Sequence, residues 1–154
     1  MQEQFPKTKK LLNQVVADLA ELSALIHQVH WYMRGNGFLA LHEKMDEMRG
    51  EVEKQLDEVA ERLIALGGAP YSTLLEFDEH SKIEMDHADY DLPVSERLEK
   101  LVEAFRYMVN LYQGGIYTSV NEEEEVTASL LTDGLSYFQK QVWLISAEIG
   151  LPPH

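Results

Sequence analysis

The chain has 154 residues, 45% of them apolar, with 27 Asp and Glu against 13 Lys and Arg, a formal charge of −14, and no cysteine. One domain of ordinary size, residues 1–154, accounts for that length and can bury a real core. The missing cysteine excludes disulfides, iron–sulfur clusters, zinc–thiolate sites and thiol redox catalysis, and the charge disfavours phosphate-backbone binding while attracting cations.

Four long helices are expected. The first spans about Lys7 to Arg34, where Leu11, Leu12, Val15, Val16, Leu19, Leu22, Leu25, Ile26 and Val29 recur at threes and fours. Gly35-Asn36-Gly37 breaks it. The second runs from Phe38 to Leu66, with Leu41, Met45, Met48, Val52, Leu56, Val59 and Leu63 on one stripe, and Gly67-Gly68 then Pro70 stop it. Tyr71 to Pro93 has little periodicity and reads as a long crossover, with a short helix over Ser72–Phe77. The third helix runs from Val94 to about Thr118, its last turns weakened by Gly114-Gly115. The fourth runs from Asn121 to about Ile149, before Gly150 and Pro152-Pro153. No apolar run is long enough to span a membrane, and MQEQFPKTKK lacks the layout of a signal peptide, so a cytoplasmic protein is expected.

Two helix pairs with short turns, joined by one long connection, describe an all-α, ferritin-like four-helix bundle whose crossover carries a short helix between helices 2 and 3. Its second helix holds the chemistry. His42 and Asp46 lie four apart, and so do Asp57 and Glu61. At about 100° per residue all four fall within an arc of roughly 100°, away from the apolar stripe. Leu39, Ala60 and Ile64 share that arc, so it is not a simple solvated face.

The two pairs cannot meet within one helix, because their centres are about 22 Å apart at 1.5 Å per residue. Positions 42 and 61 nevertheless share the midpoint 51.5 with positions 46 and 57. Two copies of this helix crossing antiparallel on a two-fold axis near Gly50 and Glu51 would therefore bring His42 and Asp46 of one chain to Asp57 and Glu61 of the other, twice over. A glycine at 50, on the same face, suits a close backbone approach there. On spacing alone these residues also fit a helix with ordinary surface acids. His30 closes the first helix one tight turn from the helix of His42, which strengthens the ligand reading of a lone histidine that is more often an interior side chain; His27, a turn earlier, takes the structural reading. Two histidines and three carboxylates without sulfur suit Fe(II) or Mn(II), with Zn(II) a competitor.

HWYMRGNGF from His30, LHEKMD from Leu41, DEVAERLIALGG from Asp57 and QVWL around Trp143 resemble the Dps family of mini-ferritins over nearly the whole chain. The resemblance implies a hollow homododecamer built from two-fold dimers. It implies ferroxidase sites on the dimer interface, hydrogen peroxide as the preferred oxidant of Fe(II), and a ferric mineral stored inside. The family's ligands carry over onto His30, His42 and Asp46 of one subunit and Asp57 and Glu61 of its partner. Its site-adjacent tryptophan is here Trp31, which either takes up stray oxidising equivalents or is a packed core aromatic. Tyr32 replaces the family's usual Asn, and Ser129 stands where many relatives carry an Asp near the three-fold pore.

The run Glu122–Glu125 is expected to open the fourth helix, with Asn121 and Glu124 at capping-box spacing. The resemblance also assigns acids of this region, with Glu125 the favoured one, to an iron pore. His80 and His87 read as part of a solvated linker rather than an accessory metal site. Three other functions compete. Some relatives coat DNA, but the only basic cluster here is Lys7, Lys9 and Lys10, and the C-terminal GLPPH has no Lys or Arg. A conventional di-iron ferritin gathers Glu-x-x-His ligands within one subunit, and no such ligand set is expected in this chain. A purely structural helical assembly would show no iron chemistry.

Overall fold

The computed structural model describes residues 3–154. Helix α1 spans Pro6–Tyr32, α2 Phe38–Ala65, α3 Leu74–His80, α4 Val94–Asn121 and α5 Glu125–Glu148. Helix α1 packs along α2 and α4 along α5, α1 and α4 join the two pairs, and α3 lies against α1. Among the described residues there is no strand, and no helix is long and apolar enough to cross a membrane.

The predicted stripes meet in the middle. Leu12, Leu19, Leu22 and Ile26 of α1 and Met45, Met48, Val52 and Leu63 of α2 face Leu98, Leu101, Phe105 and Met108 of α4 and Leu131 and Phe138 of α5. Burial of each such side chain contributes about 1.5–3 kcal/mol. Helix α4 runs unbroken through Gly114-Gly115 and ends at Asn121, three residues past the expected Thr118. Gly115 is required by packing: a Cβ there would stand 2.5 Å from the Leu11 side chain and 2.8 Å from that of Leu131.

The start of the last helix also differs from expectation. Asn121 ends α4 rather than capping α5, and Glu122-Glu123-Glu124 form the turn, with Glu123 in the left-handed region at φ 61°. Two of these acids have structural duties. The Glu122 carboxylate accepts hydrogen bonds from the Thr8 and Lys7 amides at 2.7 and 3.2 Å. It thereby caps α1, whose own N-cap, Phe5, offers no side chain for the task. Glu124 caps α5 through the Thr127 amide at 2.8 Å and takes Nη2 of Arg62, from α2, at 2.7 Å.

The crossover is anchored by a residue that periodicity cannot single out. Asp18 is fully buried on α1. Its Oδ1 accepts from the Ser81 hydroxyl and the Lys82 amide, both at 2.8 Å. Its Oδ2 accepts from Tyr107 at 2.6 Å and Gln14 at 3.0 Å. One carboxylate thus ties the end of α3 and its continuation to α1 and α4. Helix α3 itself carries the capping box that the fourth helix was expected to have, with Thr73 and Glu76 each bonding the other's backbone.

Candidate metal centre

The Gly35-Asn36-Gly37 turn folds the last turn of α1 back against the first turns of α2, and this brings His30 to His42. Their rings stack at 3.6 Å between centroids and 11° between planes. Nδ1 of His30 lies 2.7 Å from the carbonyl oxygen of His42, and Nδ1 of His42 lies 2.9 Å from that of His30. A carbonyl can only accept, so both Nδ1 atoms carry the proton in this reciprocal clasp. In the neutral rings each Nε2 then has its lone pair free. Metal-binding histidines are oriented in this way, with the second nitrogen tied to a carbonyl or carboxylate. The Phe38 ring packs on His42 at 4.9 Å between centroids, tilted by 31°.

Asp46 follows one turn along α2 on the same face, exposed, with its Oδ1 3.5 Å from Nη2 of Arg49. Asp57 and Glu61 are exposed at the other end of the helix. Among the described residues no three His, Asp or Glu side chains gather into a metal-sized group. The structure therefore brings His30 and His42 together, sets Asp46 one turn further along α2 without gathering it to them, and leaves Asp57 and Glu61 apart, as the spacing along one helix requires. Leu39 and Ile64, on the same face, are 83% and 57% exposed. Gly50, midway, is exposed and has nothing of its own chain within 4 Å of a Cβ position.

Trp31 is not a core aromatic of this chain. It is 62% exposed and stacks on His27 at 4.6 Å and 11°. His27 is held below the ordinary histidine range by burial and then by Arg49 and His30, with Glu53 and Asp46 acting the other way. Tyr32 packs on Tyr90 of the crossover at 4.9 Å. In the crossover, His80 stacks on Tyr71 at 4.1 Å while His87 is exposed. The chain does contain one Glu-x-x-His spacing, Glu84 and His87. It falls in irregular backbone, outside every helix. Glu123, Glu125 and Ser129 are exposed around the start of α5.

The family profile described as the ferritin-like domain matches residues 9–152. The chain is 45% identical to the "DNA protection during starvation protein" of Streptococcus suis over 146 residues, covering 95% of this chain and 85% of that one. It is 42% identical to the protein of the same description from Listeria monocytogenes over 148 residues, covering 95% and 94%. The chain belongs to the Dps family of ferritin-like proteins. Solved structures agree. Dps from Listeria monocytogenes superposes with a TM-score of 0.93 at 40% identity over 95% of both chains. Dps from Listeria innocua soaked with cobalt gives 0.93 at 40% identity over 95% and 94%. Membership in the Dps family accounts for the long crossover with its short helix.

Proposed function

We propose that this Dps protein oxidises Fe(II) at sites shared between two subunits and holds the ferric product inside a hollow homododecamer. His30, His42 and Asp46 of one chain and Asp57 and Glu61 of the partner subunit form each site. The observation that carries the reading is the His30–His42 clasp. It commits both Nδ1 atoms to backbone carbonyls and leaves two imidazole nitrogens as donors, with Asp46 one turn along α2 from His42. The shared midpoint of the two ligand pairs, the exposed Leu39 and Ile64 and the open Gly50 support an antiparallel crossing on this face.

Iron is the substrate here. Neutral imidazoles suit Fe(II), and three carboxylates add the negative charge that favours Fe(III) as it forms. Hydrogen peroxide is the preferred oxidant: two Fe(II) give up one electron each, the O–O bond breaks, and two protons complete two waters. No hydroxyl radical leaves the site in this two-electron reduction. Fe(III) then hydrolyses and deposits within the shell, with Glu123 and Glu125 free of structural duties to guide incoming cations. Mn(II) and Zn(II) compete for the same donors. The protein works in the cytoplasm, where it removes both reactants of iron-driven oxidative damage.

Relatives described as DNA protection proteins raise a second reading, compaction of DNA. The charge of −14 opposes it, and Lys9 of the only basic cluster pairs with Glu3 at 3.3 Å. Protection by removing Fe(II) and peroxide requires no contact with DNA. Mixing metal-free protein with Fe(II) and substoichiometric peroxide, without oxygen, tests the proposal. Two Fe(II) consumed per peroxide, with no hydroxylated radical trap, is the expected result. One Fe(II) per peroxide with radical release would refute it.

A further inference from the structure

Two cations, Arg49 and Lys54, flank the ligand face of α2 among its acids. Arg49 is one turn from Asp46, and Nη2 stands 3.5 Å from Oδ1. Its Nε–H is buried and meets no acceptor among the described residues. The next base along the helix, Lys54, pairs instead with Glu58 at 3.9 Å. A fixed positive charge beside a cation-binding site needs a reason, since it repels the incoming ion.

We propose that Arg49 is the resident counter-cation of the empty site, a positioning residue that holds Asp46 until Fe(II) displaces it. The inference rests on the intersubunit site proposed above. Each such site gathers Asp46 with the partner subunit's Asp57 and Glu61, three carboxylates with no metal between them. Two sites lie on one interface, so an empty dimer concentrates six negative charges there. Two Arg49 side chains offset part of that repulsion. The ion pair is half-exposed and long, so it yields readily to a dication. Arg49 thus lets the interface assemble before iron arrives, at a cost in iron affinity. A unit positive charge about 5 Å from a divalent ion weakens its binding roughly tenfold before salt screening.

Arg49→Gln and Arg49→Lys separate this role from simple packing. Zn(II) is titrated calorimetrically into the assembled, metal-free protein at low salt, with Asp57→Asn identifying the heat that belongs to the shared site. Arg49→Gln is expected to bind Zn(II) about tenfold more tightly there, and to melt at lower temperature than wild type when metal-free, with Zn(II) closing the gap. Arg49→Lys keeps the charge and stays close to wild type on both readouts. Zn(II) affinity in Arg49→Gln that is unchanged or weaker overturns the proposal while leaving the shared site intact. Zn(II) binding that is insensitive to Asp57→Asn in every background overturns the shared site itself, and this inference with it.

Discussion

Tyr107 of α4 donates its phenolic hydrogen to Asp18 of α1 at 2.6 Å, and the same carboxylate holds the backbone of Lys82 in the crossover. The contact joins three parts of the chain that are far apart in sequence. Burial, and then the hydrogen bond and charge of Asp18, push the Tyr107 phenol far above the usual tyrosine range, so it stays a donor at any physiological pH. Asp18→Ala leaves Tyr107, Ser81 and the Lys82 amide without their acceptor. A loss of about 3–5 kcal/mol is expected, measured by denaturant unfolding, with the crossover the first segment to gain hydrogen exchange.

Arg62 and Glu124 give an acid-sensitive link between α2 and the α4–α5 turn. Burial works to raise the Glu124 carboxyl, but the hydrogen bonds from Thr127 and Arg62 outweigh it and hold it below the usual range. A group lowered on folding contributes stability that is complete above its unfolded value, about 4.5, and is lost as pH falls through the folded one. Melting temperature should therefore decline below about pH 4.5, and Glu124→Gln should lower stability at neutral pH while flattening that decline. A variant with the wild-type acid profile would remove Glu124 from the account.

How much of this was legible in the sequence depended on the range of the interaction. Leu12, Leu19, Met45, Phe105 and their neighbours announced the helices, because apolar spacing is local and repeats. The symmetric spacing of His42, Asp46, Asp57 and Glu61 was legible too, since they sit on one helix and their midpoint is arithmetic; the site shared between subunits that it suggests is the proposal. The α4–α5 turn was not. Asn121 is the better cap in isolation, but Arg62, 62 residues from Glu124, and the Lys7 and Thr8 amides recruit the glutamates and shift the turn by three residues. Asp18 looked like any acid on a helix, because its partners come from the crossover and α4. Trp31 looked apolar enough for a core, yet the core of one chain closes without it.

Gly50→Leu separates the bundle from its assembly. Nothing of the same chain lies within 4 Å of a Cβ at this position, so the single subunit accommodates leucine and gains helix propensity. At a close antiparallel crossing the added side chains force the helices apart, at about 1–3 kcal/mol per copy. The expected protein is fully helical by circular dichroism, smaller on size exclusion and slower in iron oxidation. An intact particle with normal kinetics would move the crossing elsewhere.

Plasmid DNA should run unretarded with metal-free protein at neutral pH and physiological salt. Each chain carries −14, and repeated copies multiply the repulsion from phosphate. Metal must be excluded, because divalent ions bridge acidic protein to DNA. Retardation under those conditions would establish a basic patch that the charge balance hides.

The shared site is tested most directly by mixing two inactive proteins. His42→Ala and Asp57→Ala, each alone, should lose rapid peroxide-driven iron oxidation and keep their helices. When the two are unfolded together and reassembled, a hybrid dimer places both lesions in one site and leaves the other whole. Random pairing makes half of the interfaces hybrid, so about a quarter of the wild-type activity should return. Activity no higher than in the two parents, in particles shown to contain both chains, would mean that each site belongs to a single subunit.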